Sequence, residues 1–448
     1  MMIQFVVLSM FQLTLKGVAL PGVLRIAEVE EPFFRCWLLS ILLEDEVPQH
    51  SPPVSMLVCS RAILASGSPK FPRVIRPSGG TPVHLYTDDV DEQTMQQLIN
   101  LSRSRMVVGY VAAMPDVHLG KGATIGSVFA SRDFVCPNAV GVDIGCGMCA
   151  VKVPGLTRLG LSETFLVKLH GQLVQRIPTG FNSHEKASPE MRGAMKRLME
   201  EHNPTAHARG VSPAGGPLKL LELARWVAAT ILLNYFTIEE ENIWLMLHSG
   251  SRNIGNVTAQ YYDGLAARQT GTSKENLAHL AIASEAGQDY LRDMHFCQAY
   301  AMENRKFMMN SFVGNGRVCW HGCRADLLAV VGAVRDLTGK ARKGQLGIIP
   351  GSMGTGSYIT RGKGESMAWS SCSHGAGRKL SRNAAKRVVG VGELNEMMEG
   401  IVWDSNAAKL VRDEAPVAYK DLNEVMMNQE DLVEVVHKLK PLMNMKGY

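Results

Sequence analysis

Two stretches decide the fold: Val107–Ala130, VVGYVAAMPDVHLGKGATIGSVFA, and Ala139–Val153, AVGVDIGCGMCAVKV. Both consist of short β-branched or small apolar runs interrupted by glycines, with no repeating charged face of helical period. Such runs read as buried strands joined by tight loops. Upstream, Met95, Leu98, Ile99 and Leu101 recur at near-helical spacing behind the acidic DDVDE, so a helix is expected over Val90–Ser104. Downstream, helical patterns cover Ser162–Gln175, Pro189–Glu201, Leu218–Leu233 and Lys274–Arg305, with the strand-like IWLML at 243–247 between the last two. The segment DLNEVMMNQEDLVEVVHKLKPL (421–442) has helix or short-strand spacing ahead of the tail MNMKGY. A mixed α/β or α+β enzyme is expected.

The 448 residues are 46% hydrophobic and 20% charged, which excludes a disordered, collagenous or disulfide-scaffold protein. No apolar run reaches the ~18–20 residues a membrane span needs. A net charge of +5 is low for a protein that coats DNA, although a local basic patch would still serve nucleic acid. Nine irregularly spaced cysteines read as free thiols in a reducing, intracellular setting, some of them available to metal. The first eighty residues stand apart. Met1–Phe11 is apolar without the basic start of a secretory signal, and Ser51–Gly80 has no acidic residue and four basic ones. That composition suits an organellar transit peptide or a linker, but acidic Glu28, Glu30 and Glu31 precede it, so a mispredicted extension is equally open. A cytoplasmic location is expected, with targeting by this extension left open.

Chemistry concentrates in the glycine-rich loops. In VGVDIGCGM, Asp143 and Cys146 offer a hard and a soft ligand to a borderline cation such as Zn²⁺ or Mn²⁺. Cys146 and Cys149 also form a C-x-x-C that reads as redox-active or as half a zinc site; a buried thiol and a turn-capping Asp are the plain alternative. Asp116 and His118 occupy alternate positions of an extended segment and so point the same way, as a base and its orienting partner or a metal–His–carboxylate set would. In HSGSRNIGN (248–256), His248 ends a strand and Arg252 follows among small residues that leave room for phosphate. GIIPGSMGTGSYI (347–359) is a Gly/Ser/Thr loop able to cradle phosphate or a purine, although it is no Walker A loop. In SSCSHGAGRKLSR (370–382), His374 sits among small residues with Arg378, Lys379 and Arg382 behind it, a setting in which imidazole can attack phosphorus.

In this order MPDVHLGKGATIGSV, VGVDIGCGM, HSGSRNIGN, GIIPGSMGTGSYI, SSCSHGAGRKLSR and DEAPVAYKDLNEV resemble the RtcB family of RNA-splicing ligases, from about Pro82 to Lys446. The resemblance implies a single large α+β catalytic domain of mixed sheets and surrounding helices over 81–448, with 1–80 as an atypical extension. It further implies a GTP- and Mn²⁺-dependent ligase that joins RNA ends bearing a 2′,3′-cyclic phosphate or 3′-phosphate to 5′-hydroxyl ends, tRNA halves among them. By motif, Asp143, Cys146 and His248 are then ligands to two Mn²⁺ ions, and His374 is the nucleophile that accepts GMP. Pro350, Gly351, Ser352, Met353, Ser357, Gly375, Ala376, Gly377 and Lys446 are implied to contact the guanylate. Asp116 is implied as an acid near the reacting centre and Arg252 as a phosphate-binding base. An archease-type activating protein is implied as a partner.

Two motifs of the family are missing. An Asn-His-Phe segment ahead of HSGSR is replaced by HARGVSPAGGPLKLLELARW, and His184, His202 and His207 lie in contexts that do not match it. A His-His-Asn motif is absent between Arg305 and Gly347, where only His321 in VCWHGC stands. Losing two ligands weakens the implied metal site. A non-catalytic RNA- or nucleotide-binding homologue and a metal-dependent phosphoesterase are therefore carried as alternatives to the ligase.

Overall fold

The computed structural model describes residues 71–177, 187–210, 230–236, 242–272, 277–313 and 339–447. The first sheet is built from β1 (Arg73–Ile75), β2 (Val83–Leu85), β3 (Val108–His118) and β4 (Ile125–Ala130), in that order. Its β2–β3 pair is parallel and the other two pairs are antiparallel. A parallel pair needs a crossover, and the helix Glu92–Ser102 supplies it. Asp91 starts that helix by accepting the Thr94 backbone N–H at 2.9 Å. Strand β3 is covered on both faces, which explains its near-continuous apolar run. Val111, Ala113 and Val117 pack with Leu98 and Leu101 of the helix. Ala112 and Met114 face the opposite way, toward Ala368, Cys372 and Ala376.

After β5 (Phe134–Val135), the larger sheet takes up β6 (Gly147–Thr157), β7 (Thr230–Phe236) and β8 (Asn242–Ser249). Past β9 (Leu280–Ala281) it is completed by β10 (Leu346–Pro350), β11 (Ser357–Gly362) and β12 (Val433–Lys446). Its order is β10-β11-β12-β7-β8-β6 with every pair antiparallel, while β5 and β9 pair separately. Leu166, Leu169 and Leu173 of the helix Glu163–Arg176 pack on Val151, Leu245 and Leu247, each buried Leu contributing about 1.5–3 kcal/mol. Met148, Ala150, Met246, Ile348 and Leu439 make a second apolar cluster from this sheet. The helices Pro189–His202, Asn253–Thr270 and Glu285–Val313 gather around their own cluster, so the expected α+β class holds.

Several expectations change in detail. The sheet begins at Arg73, ahead of the expected start at Thr81, because β1 pairs with β2 through Val74 and His84; the extension up to 70 lies outside the described residues. The helix expected over Leu218–Leu233 gives way at Thr230 to β7, which takes central pairing between β12 and β8, and 218–229 lie outside the described residues. The helix expected from Lys274 starts at Glu285, where Ser284 Oγ accepts the Gly287 N–H at 3.1 Å, and β9 precedes it. Asp143 follows a short helix, Pro137–Val140, rather than a strand, because Pro137 sits at a helical first turn. The expected tail is the end of β12, paired residue by residue with β7 up to Lys446.

This register positions the site. Met148 pairs with His248, His248 with Thr230, and Thr230 with Lys446, so four neighbouring strands end in one row.

Candidate active site

Two clusters face a single cleft of about 400 Å³. The first is built on Asp116, near the end of β3, and His374, in the loop beyond β11. Asp116 is 0% exposed, whereas His374 keeps 26% of its side chain in solvent. One carboxylate oxygen of Asp116, Oδ2, accepts both the His374 backbone N–H at 3.0 Å and the ring Nδ1–H at 2.6 Å. Glycines make this closeness possible. A Cβ on Gly126 would come within 2.9 Å of Asp116 Oδ1, and one on Gly377 within 2.4 Å of the Asp116 carbonyl. Both glycines have positive φ, 82° and 75°. Lys420 Nζ ties the Pro115 carbonyl at 3.3 Å and the Asp89 carbonyl at 2.6 Å, and Gln429 Oε1 accepts the Ser373 N–H at 3.0 Å.

Burial by itself would raise the Asp116 carboxyl, but His374 and its two hydrogen bonds, with help from His118, hold it below the ordinary carboxylate range. An anionic Asp116 fixes the proton on His374 Nδ1, which leaves Nε2 as the basic nitrogen. His118 donates its Nδ1–H to the Asp116 carbonyl at 2.8 Å, and burial pushes its imidazole down to about 4. It therefore lines the cleft as a neutral ring.

The second cluster lies in the turn ahead of β6 and at the end of β8. Cys146 N–H donates to the Asp143 carbonyl at 3.0 Å and Ser251 N–H to the Ile144 carbonyl at 3.1 Å. Buried Arg305, from the helix Glu285–Val313, donates to the Gly145 carbonyl at 2.7 Å and the Ser249 carbonyl at 2.6 Å, fastening the turn to β8. The result is Cys146 Sγ 3.0 Å from His248 Nε2. Asp143 lies against Gly250, where a Cβ would come within 2.1 Å of Oδ1. Burial, with Asp143 adding to it, pushes the Cys146 thiol up to about 12, and burial pulls His248 down to about 4. Both side chains are then neutral, with the S–H facing the ring nitrogen. Cys149, two strand positions beyond Gly147, packs with the apolar cluster of Leu245 and Leu247, and both it and Cys146 are free thiols.

A polar wall closes the cleft. Ala376 N–H donates to the Pro350 carbonyl at 3.0 Å, joining the His374 loop to the Pro350–Met353 turn, and Thr355 Oγ1 accepts the Ser352 N–H at 2.6 Å. Arg252 adopts φ 58°, ψ −144° at the start of the helix Asn253–Thr270, a conformation costly for a residue with a Cβ. Glu414 gathers Lys446 Nζ at 3.0 Å, Arg378 Nη2 at 3.0 Å, Arg382 and the Tyr419 hydroxyl. Burial would raise the Glu414 carboxyl, but Lys446, Arg382 and Arg378 hold it far below the usual range.

Of the residues singled out in the sequence, Asp143, Cys146, His248, Arg252, the Pro350–Met353 turn, His374–Gly377 and Lys446 all reach this cleft. Asp116 stands behind His374, and Ser357 is buried opposite Pro350 in the β10–β11 ladder instead of lining the cleft. Glu414 and Tyr419 line it without having been singled out, although both lie in the quoted DEAPVAYKD segment. His207 stacks on Tyr261 at 3.9 Å, and His202 ends a helix, neither of them on the cleft; His184 and His321 lie outside the described residues.

A buried Asp–His pair, a Cys–His contact beside a carboxylate and a wall of arginines and a lysine suit phosphoryl chemistry. The profile of the family described as tRNA-splicing ligase RtcB matches residues 97–217, 220–317 and 331–447. An RNA-splicing ligase RtcB of Escherichia coli K12 is 32% identical over 413 residues, covering 82% of this chain and 97% of that protein. A tRNA-splicing ligase RtcB of Methanococcus maripaludis is 26% identical over 457 residues, covering 82% and 95%. An RNA-splicing ligase RtcB homolog 2 of Entamoeba dispar is 27% identical over 427 residues, covering 75% and 80%. The matched segments carry both halves of the cleft, and the chain therefore belongs to the tRNA-splicing ligase RtcB family.

Proposed function

We propose that this chain is an RNA ligase that joins a 3′-phosphate RNA end, or a 2′,3′-cyclic phosphate opened to one, to a 5′-hydroxyl end, with GTP as co-substrate and His374 as carrier of GMP. The observation that carries this reading is the His374–Asp116 pair, which fixes one ring proton and presents the other nitrogen to a cleft walled by cations. His374 Nε2 attacks the α-phosphorus of GTP, forming an N–P bond as the P–O bond to pyrophosphate breaks. The ring becomes cationic, and Asp116 stabilises that charge without taking the proton. An oxygen of the RNA 3′-phosphate then displaces His374 from phosphorus. The 5′-hydroxyl finally attacks the 3′-phosphorus, loses its proton and expels GMP. Arg378, Arg382 and Lys446 balance phosphate charge, and the Pro350–Met353 turn and the Gly375–Gly377 backbone cradle the nucleotide.

A carboxylate, a thiol and an imidazole, from Asp143, Cys146 and His248, line the cleft, a donor set suited in kind to a divalent cation, for which we propose Mn²⁺. When bound there it supplies Lewis-acid polarisation of phosphate oxygens. One observation favours the second reading, a nucleotide-binding homologue that does not ligate. Among the described residues, no three His, Cys, Asp or Glu side chains are grouped closely enough to form a metal cage as they stand.

Transfer of label from α-³²P-GTP to the folded chain with Mn²⁺, followed by joining of a 3′-phosphate to a 5′-hydroxyl oligonucleotide, decides between them. An acid-labile adduct that depends on His374, and ligated product, are the expected results. A folded chain that binds GTP yet takes up no label would leave the homologue reading in place. Among the described residues no helix is long and apolar enough to cross a membrane.

A further inference from the structure

Away from the cleft, three rings form a ladder on the small sheet. His84 of β2 stacks on Tyr110 of β3 with centroids 4.2 Å apart and planes at 14°. Tyr110 stacks in turn on Trp369 at 4.4 Å and 15°. Polar atoms lock each ring: Trp369 Nε1–H donates to the Tyr110 carbonyl at 3.3 Å, the Tyr110 hydroxyl donates to the Ser366 carbonyl, and His84 Nδ1–H donates to the Met367 carbonyl at 3.1 Å. Holding Trp369 there requires two consecutive residues with side chains in the left-handed region, Trp369 at φ 53° and Ser370 at φ 49°. Backbone strain of this kind costs on the order of 1–3 kcal/mol per residue and persists only where the surrounding contacts hold it.

The ladder rests on the apolar cluster of Ala112, Met114 and Ala368, with His84 buried at its inner end. Tyr110 and Trp369 both keep part of their surface in solvent, and Val74 (42%), Val108 (39%) and Met367 (40%) are exposed around them. A basic run borders it. The Ala341 N–H donates to the Ser370 carbonyl at 2.8 Å and Lys340 bridges to Ser371, which sets exposed Lys340, Arg342 and Lys343 beside the strained turn. The neighbouring carboxylate, Glu365, is engaged in capping the turn, accepting the Met367 N–H at 2.9 Å. Aromatic rings for bases and an adjoining row of cations for phosphates are what a single strand of nucleic acid requires.

Its place in the fold gives the patch a role. Strand β3 carries Tyr110 toward one end and Asp116 toward the other, roughly 20 Å apart at strand rise. The Trp369 turn leads directly into the loop that bears His374. We propose that this patch binds single-stranded RNA adjoining the reacting end, with Trp369 stacking a base and Lys340, Arg342 and Lys343 holding its phosphates. The inference rests on the ligase reading for the identity of the strand, and its test separates the two.

The test measures binding of a fluorescent, single-stranded 3′-phosphate RNA to the full chain by anisotropy, beside label transfer from GTP, which needs no RNA. Trp369→Ala should weaken RNA binding roughly 5- to 150-fold, the range of one lost stacking contact, and Trp369→Phe should restore most of it. The triple reversal K340E/R342E/K343E should also weaken binding and flatten its salt dependence. All three variants should keep GTP labelling within about twofold of the parent, since none touches the cleft. RNA affinity unchanged in Trp369→Ala with labelling intact would overturn the proposal. Should Trp369→Ala misfold, the triple reversal decides, because it removes no packed side chain; unchanged RNA affinity there overturns it as well. A parent chain that binds RNA in a Trp369-dependent way but takes no label from GTP would sink the ligase reading and leave this surface standing.

Discussion

The two halves of the cleft are finished to different degrees. In the His374 half the protein itself sets the geometry: one carboxylate oxygen of Asp116 takes two hydrogen bonds from His374, and glycines fit around it. In the Cys146 half a neutral thiol faces a neutral imidazole across 3.0 Å. The comparison teaches that folding alone sets the Asp116–His374 pair, whereas the Cys146–His248 contact leaves two neutral groups side by side. On the proposed reading a cation held there would displace the thiol proton, so metal affinity and metal-free stability should be separable.

The largest effects should fall on the preorganised half. His374→Ala should abolish GTP labelling, a loss of at least about 10³-fold, and should also lower thermal stability because buried Asp116 loses its ring partner. Asp116→Asn should follow, at roughly 10²- to 10⁴-fold, since an amide no longer fixes the ring tautomer or stabilises the cationic ring. Labelling at the parental rate in Asp116→Asn would break the contrast at its root. In the other half, Cys146→Ala should cost at least about 10- to 100-fold in Mn²⁺ affinity, read by competition titration, while unfolding without metal is far less affected. Gly250→Ala tests the same half without removing a ligand: its Cβ must push Asp143 aside, and metal affinity should drop by about tenfold. If either change lowered metal-free stability as much as metal affinity, the two halves would not differ as described.

How much of this was legible in the sequence depends on range. Helix starts were local and could be read: Asp91, Ser162 and Ser188 each cap a helix within a residue or two of the expected position. TILLNYF was not, because a mostly apolar run with only Thr230 and Asn234 to break it carries no clear period, and its strand identity comes from β12 and β8 on either side. Glycine loops advertised the His374 and Cys146 sites, since close approach to a backbone leaves a mark in composition. Ser357 was expected in the cleft by motif, yet strand pairing with Pro350 turns it into the sheet. Glu414 was invisible for a different reason. Charged residues are solvated by default, and only tertiary structure brings Arg378, Arg382, Tyr419 and Lys446 around one carboxylate.

That cluster yields the smallest expected effect on chemistry, and a test of whether preorganisation extends beyond His374. Glu414→Gln removes a buried anion from among three cations. GTP labelling should fall by no more than about tenfold, because no reacting atom is touched. Stability should drop more visibly, by on the order of 3–5 kcal/mol, since the cations are left without their counter-ion. The pH dependence gives the sign. The folded-state carboxyl of Glu414 is held below its ordinary value, so its contribution is present in full above the unfolded value of about 4.3 and fades as pH falls through the folded one. Parent and Glu414→Gln should therefore unfold far apart at pH 7 and converge as the pH is lowered below about 4. A constant gap across that range would mean that Glu414 acts through shape, and the charge-balanced wall would then resemble the unfinished half of the cleft more than the finished one.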